Sequence, residues 1–448
     1  MPVLTAPHRL PLLGHAIPLA LRRVSYLQSL RDMGDIVQIA IGPHPMYVVN
    51  SVEALNQMLV TQGESFDQGR LFENLRPFLG NSVLTCPRSE HRELRRMLQP
   101  TFRPQAVSGY ARLIADRAAH LVGSYREGDV LDAEHEMHRL TAGVMTKILF
   151  AADETADVCE QIQGSLPQLI QGVMRRTMMP AEFLNHIPTP ANRRYNQAAR
   201  DIRAAVQGVI DKYRAEGADR GDMLSELLVA SVEGRPLTDE EICDQVVTLL
   251  MTGSDTMAGI MCWFFYALTR APEVERRIAD EIHSVLQGRT PTPDDLRNLT
   301  HLQHALLETL RLHHPVWFLT RRSITPVTLA GIDFPANTDF GYSPATLHRD
   351  PRLFPDPLAF RPERWAQATS DRRAYLPFGA GARKCIGDNL AMTEAGLILT
   401  IILQRWSLAP AEQRDVKPVA HAVIHPDRLL VRLSARKPSL TGAAAPGA

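Results

Sequence analysis

One segment limits the fold more than any other. Thr238-Asp239-Glu240-Glu241 has the pattern of a helix start, a capping box with acids in the first turn. Nothing breaks the helical reading until Ala271-Pro272. At 1.5 Å per residue the stretch to Arg270 is about 48 Å long, enough to cross a whole domain. Past Gln245 it is mostly apolar, so it has to be buried, and the rest of the chain must wrap it. A chain of 448 residues with 45% hydrophobic residues has the means to do so. A length prior of roughly 150 residues per domain allows three domains. There is no internal repeat and no Gly/Ser linker, so residues 1–433 read as a single domain. The tail 434–448, rich in Ala, Gly and Pro, reads as flexible.

Around that helix the patterns predict a mainly α protein with small β-sheets (α+β). Gly34 to Gly42 and Met46 to Val49 alternate and read as a hairpin. From about Glu53 to Gln287 the patterns are mostly helical. Pro180 to Pro190 is too rich in proline for a helix interior and reads as a loop. Leu299, Leu302, Leu306 and Leu310 form one apolar helical stripe, and Val327–Leu329 and Leu429–Leu433 look like short strands.

The 49 basic and 49 acidic side chains balance, which argues against nucleic acid as a partner. The five cysteines, Cys86, Cys159, Cys243, Cys262 and Cys385, are dispersed and form no metal-type pair. The N-terminal apolar stretch is cut by Pro7, Pro11, His15 and Pro18, so neither a membrane anchor nor a signal peptide is expected and the location reads as cytoplasmic.

The strongest chemical signal is Pro377-Phe378-Gly379-Ala380-Gly381-Ala382-Arg383-Lys384-Cys385-Ile386-Gly387. A glycine-rich loop delivers a lone cysteine to the start of an apolar helix, where the macrodipole and free N–H groups favour a thiolate. Such a sulfur is a fit ligand for haem iron. The loop resembles that of the cytochrome P450 family of bacterial-type haem-thiolate monooxygenases, Phe-x-x-Gly-x-Arg-x-Cys-x-Gly. Phe378, Gly381, Arg383, Cys385 and Gly387 occupy its fixed places. The resemblance implies a fold with haem b (iron protoporphyrin IX) between the long central helix and the cysteine-loop helix. It makes Cys385 the iron ligand and Arg383 a partner of a haem propionate.

Two further constellations match in order. Glu308 and Arg311 are three apart on one helix face, and Pro362-Glu363-Arg364-Trp365 supplies Arg364, which resembles the family's structural triad. Thr252-Gly253-Ser254-Asp255-Thr256-Met257 places a glycine, hydroxyls and an acid inside the apolar helix. On the residues alone this reads as a polar kink with Ser and Thr bonding back to the preceding turn. By resemblance it is the oxygen-activating groove, where Thr256 holds a water and Asp255 relays protons. Thr252 and Met257 depart from the family's usual Ala/Gly and Thr/Ser. His91 and Arg95, four apart, and Arg321 match haem-propionate contacts, with Arg322 adjacent to the last.

The resemblance places Phe72, Phe78, Leu250, Thr252, Val316, Trp317, Phe318 and Val423 in a substrate pocket suited to a lipophilic small molecule, with a lean towards terpenoids of secondary metabolism. Arg70 and Arg76 are read as solvated loop charges or as a grip for a carboxylate. The implied reaction inserts one atom of O2 into a C–H bond. Electrons come from an external NAD(P)H-linked chain, a soluble ferredoxin or flavodoxin with its reductase, steered to a cationic surface that includes Lys384. A monomer is expected. Oxidative coupling, desaturation, peroxide-dependent chemistry and a non-catalytic haem sensor stand as alternatives.

Overall fold

In the computed structural model the stretch from Asp239 to Thr269 is one unbroken helix, here called the central helix. The model describes residues 3–150, 156–177, 187–217, 219–232, 234–366, 371–420 and 423–436. The capping box is present: Glu241 N–H donates to the Thr238 hydroxyl at 3.3 Å, and Thr238 N–H donates to the Glu241 carboxylate at 2.9 Å. In the helix's most apolar 18-residue window 83% of residues are buried, so its apolarity is met by packing against protein. The helix Ala133–Leu149 runs alongside it. Gly253 permits this close approach, because a Cβ there would lie 2.9 Å from the Met145 sulfur. The helix does not kink at the polar segment. Thr252 and Thr256 bond back to Thr248 O at 2.8 Å and Thr252 O at 2.6 Å, and the hydrogen-bond ladder continues.

Leu302, Leu306 and Leu310 of the helix Thr300–Leu312 are buried with Leu299 in the same core. The helix Asp388–Arg405 packs on Pro104–Gly123 and touches the central helix. Leu390, Leu397, Ile398 and Ile401 are buried along it. Between these helices lies the space in which the site is built.

The predicted hairpin pairs Ile36–Ile41 with His44–Val49 in antiparallel register. It joins a sheet that also contains Asp339–Tyr342, Leu319–Ser323 and Phe66–Asp67. Strand alternation turns Arg321 and Arg322 to opposite faces. Val327–Leu329 pairs with Ile332–Phe334. The C-terminal strand Leu430–Ala435 pairs with Trp406–Pro410, so Ser434 and Ala435, expected in the tail, are held opposite Ser407 and Trp406. Residues beyond 436 lie outside the described ones. So does most of the proline-rich loop, 178–186; its last proline, Pro190, opens the helix Pro190–Glu216 behind the Thr189 cap.

Candidate active site

The cysteine loop is shaped by a tight turn. Gly381 has φ +70°, a conformation that side chains rarely adopt, and a Cβ there would collide with Leu59 O. Lys384 N–H donates to Gly381 O at 3.1 Å and Cys385 N–H to Phe378 O at 2.8 Å. Cys385 is surrounded by protein, and the surface it exposes faces a cavity of about 330 Å³. Burial pushes the thiol above its ordinary value and outweighs the lowering by the Gly387 N–H. The helix start alone therefore does not make the thiolate expected from the sequence; a coordinated cation would.

The same cavity is lined by His91, Arg95, Arg321, Phe378, Arg383 and Gly387. Arg383 donates to Asp67 Oδ1 at 3.1 Å and Cys86 O at 3.0 Å. Arg95 donates to Lys384 O at 2.6 Å, and Arg321 to Gln68 Oε1 at 2.8 Å. Arg322, on the opposite face, pairs with Asp339 and Glu73. Burial lowers Arg95 and Arg383 from the usual guanidinium range. Burial, with Arg383, Arg95 and Arg88, takes His91 down to about 3, so it stands neutral. Among the described residues, three guanidinium groups around one void share only the Asp67 carboxylate through hydrogen bonds, which is a costly arrangement without further anions. A sulfur in an apolar cavity whose rim is short of carboxylates fits iron protoporphyrin IX with its two propionates.

The central helix turns Thr248, Leu249, Thr252, Gly253, Thr256, Met257 and Ile260 to the cavity, the three-and-four spacing of one face. Asp255 falls on another face and does not line it. Its Oδ1 lies 3.0 Å from His425 Nε2, and its Oδ2 is buried without a partner among the described residues. The predicted acid and alcohol are thus neighbours in sequence whose side chains point apart.

The pocket set needs correction. Phe72, Thr252 and Val316 line the cavity, with Val83, Leu84, Met145, Leu249 and Leu319. Leu250 does not, because one residue is a 100° rotation and carries it into the core behind. Trp317 and Phe318 pack with Val37, Ile39 and Met46 in the N-terminal core. Phe78 meets Tyr195 edge-on at 5.8 Å. Val423 is buried beside Gly259. Arg76 bonds Thr85 O at 2.7 Å and Arg70 lies 3.6 Å from Asp339, and neither lines the cavity.

Glu308 and Arg311 are fully buried and joined by two bonds of 2.9 Å. Arg364 Nε donates to the same carboxylate at 2.9 Å, Trp365 Nε1 at 3.0 Å and Arg361 N–H at 3.0 Å. Arg311 also donates to His348 O and Pro357 O. The cluster clasps the Thr300–Leu312 helix to the segment before the cysteine loop.

Sequence reasoning missed Glu394, which lines the cavity fully buried, its Oε1 without a partner among the described residues; burial raises its carboxyl to about 8. A lone acid within the apolar run Leu390–Leu403 was a usable signal. It also missed His138 and His425, which carry no local pattern.

A cysteine exposed to a cationic, carboxylate-poor cavity between two long helices defines a haem-thiolate protein. The family model for cytochrome P450 matches residues 4–433, and the chain belongs to that family. The cyclooctat-9-en-7-ol 5-monooxygenase of Streptomyces melanosporofaciens is 40% identical over 91% of this chain and 89% of its own length. The pentalenene oxygenase of Streptomyces avermitilis is 36% identical over 97% and 98%. Cyclooctatin synthase of Streptomyces melanosporofaciens is 37% identical over 92% and 91%. The chain is thus a haem-dependent monooxygenase that consumes O2 and electrons.

Proposed function

We propose that this monooxygenase hydroxylates a terpenoid. The observation that carries the reading is the apolar lining of the cavity that Cys385 shares with Phe72, Val83, Leu84, Leu249 and Val316, in a chain similar to oxygenases named for cyclooctat-9-en-7-ol and pentalenene. When bound, the haem supplies the redox chemistry that activates O2 and breaks the C–H bond. Cys385 ligates its iron. Arg95, Arg321 and Arg383, with His91 as a neutral donor, hold its carboxylates. The apolar lining orients the substrate and excludes water. Thr256 holds a water at the cavity face by its hydroxyl, and Asp255 is the acid from which that water is resupplied with protons. Glu308, Arg311 and Arg364 hold the frame.

Electrons come from a soluble ferredoxin or flavodoxin with an NAD(P)H-dependent reductase, acting on a cytoplasmic monomer. Its docking face is the helix Arg88–Leu98, where Arg92 and Arg96 are exposed beside the cysteine loop. Lys384 contributes less charge than expected, because it pairs with Asp388 at 2.5 Å.

The test is a titration of the purified holoenzyme with cyclic terpenes and terpene alcohols, read by the spin-state change of the Soret band, followed by product analysis in a reconstituted redox chain. Saturable shifts and a product heavier by one oxygen atom support the reading. Shifts given only by non-terpenoid ligands overturn it. Thr256→Ala separates an oxygenase from a sensor: coupled product falls by about 10²-fold and reductant is lost as peroxide, with the thiolate carbonyl spectrum unchanged.

A further inference from the structure

The central helix has a second polar face, turned away from the cavity. One turn past Asp255, Gly259 leaves a notch, since a Cβ there would lie 3.0 Å from His425 Cε1 and 3.2 Å from its Nδ1. His425 fills that notch from the strand Ile424–Pro426. The strand is fixed by Trp263 Nε1–H donating to Ile424 O at 2.9 Å and Ile424 N–H donating to Pro315 O at 2.9 Å.

Behind His425 the groups continue outward. His138 Nε2 lies 3.9 Å from the same Asp255 oxygen, and the two imidazole rings are 5.0 Å apart. The side chains of His425 and Asp255 are 3% and 5% exposed, whereas that of His138 is 27% exposed. Glu134, one turn before His138, is half-buried, and donor atoms of Glu134, His138 and His425 lie within 4.8 Å of one another. Titratable groups within 4.8 Å of one another therefore lead from the half-buried Glu134 and His138 to His425, which is bonded to Asp255. A cation at the same donors would have to compete with the existing Asp255–His425 bond.

We propose that Glu134, His138 and His425 form the path by which protons from solvent reach Asp255, with His425 the last carrier. The proposal rests on the reading of Asp255 given above. In the step, the His425 imidazolium gives its Nε2 proton to Asp255 Oδ1, leaving a neutral imidazole and a carboxylic acid. Rotation of the Asp255 side chain brings the acid to the cavity side of the helix. There it protonates the water at Thr256, which passes on a proton of its own, and the carboxylate is restored. His425 regains a proton from His138, and His138 from solvent beside Glu134. One proton crosses per cycle and no electrons move.

The charges around the path agree with this direction. Asp255 and Glu134 raise His425 against the effect of burial. Burial, with repulsion from His425 and His135, takes His138 down to about 4 against the pull of Asp255. Burial is the largest cause raising Glu134, joined by Asp132, Asp255 and Asp427, with His425 opposing. The inner ring is thus shifted up and the outer ring down, so a proton on the pair favours the ring next to Asp255.

The test compares His425→Gln, His138→Gln and Asp255→Asn holoenzymes, each first checked for the parent's thiolate carbonyl spectrum. Glutamine at 425 retains a donor to Asp255 but cannot carry a proton through a ring. The expected result for His425→Gln is turnover lower by about 10-fold, a larger solvent deuterium effect and more peroxide per electron pair. His138→Gln moves the same three readouts in the same direction by a smaller factor. Histidine-selective NMR of the carbonyl-bound ferrous enzyme is expected to show one ring titrating above 6.5 that disappears in His425→Gln and moves down in Asp255→Asn. If Asp255→Asn is impaired while both glutamine variants keep the parent turnover and isotope effect, the path is overturned and the role of Asp255 stands. If Asp255→Asn itself behaves as the parent, the underlying reading fails. Should His425→Gln not fold, His138→Gln and the titration decide: no turnover change in His138→Gln, or no ring titrating above 6.5 in the parent, overturns the proposal.

Discussion

Two buried ionic clusters in this molecule are built on opposite plans. Around Glu308 every oxygen is satisfied, by two bonds from Arg311 and by Arg361 N–H, Arg364 and Trp365, and the Glu308 and Arg311 side chains are fully buried. Around Asp255 one oxygen has a partner among the described residues and the other has none, His425 Nδ1 is also unpartnered among them, and His138 opens the cluster towards solvent. A fully satisfied cluster has no reason to move, and its worth is in fixing chain segments. An incompletely satisfied one costs stability, and it keeps a side chain free to change partners.

The largest break in this comparison is Arg311→Ala. It strands the Glu308 carboxylate in the core and should cost roughly 3–5 kcal/mol, read by denaturant unfolding and by haem loss on purification. Glu394→Gln comes next. The Glu394 carboxyl is raised from 4.5 to about 8 in the fold, so the folded state holds a proton that the unfolded chain has released. Stability therefore falls as pH rises from 4.5 to about 8, and the glutamine substitution would remove that slope, worth on the order of a few kcal/mol at the upper end. Urea unfolding of both proteins across that range checks it.

Asp255→Asn is expected to alter stability by only about 1 kcal/mol. The sign depends on pH. His425 is raised in the fold, so its bond to Asp255 stabilises fully below 6.5 and is lost as pH climbs through the raised value. The substitution should thus cost most at low pH and, like Glu394→Gln, flatten a fall of stability with rising pH. Arg322→Ala gives the smallest effect, about 0.5 kcal/mol, because Glu73 is exposed and the buried Asp339 keeps Arg70 at 3.6 Å. Arg321→Ala, one residue away on the cavity face, should instead lower haem retention, which an absorbance ratio reads.

The same contrast governs what was legible in the sequence. The Glu308 cluster, the cysteine loop and the central helix are written in short patterns, with i and i+3 charges, glycines around a cysteine and a capping box before an apolar run. Their partners lie close in sequence or within a motif. Strand alternation assigns Arg321 and Arg322 to opposite faces, and helical rotation assigns Leu249 rather than Leu250 to the cavity. Trp317 and Phe318 were misplaced because their partners, Val37 to Met46, come from a hairpin some 270 residues earlier. His425 meets Asp255 across 170 residues, through a strand whose position is set by Trp263 and Pro315. No local pattern records such a meeting.

The helix Arg88–Leu98 turns His91 and Arg95 inward and leaves Arg92 and Arg96 in solvent. A single rod thus separates residues that line the cavity from residues that face solvent by a fraction of a turn. Charge at positions 92 and 96 can be reversed without disturbing a residue that lines the cavity. Positions 91 and 95 are not free, since Arg95 is tied to the Lys384 carbonyl beside the cysteine. The outer surface of the helix can thus be altered independently of its cavity side.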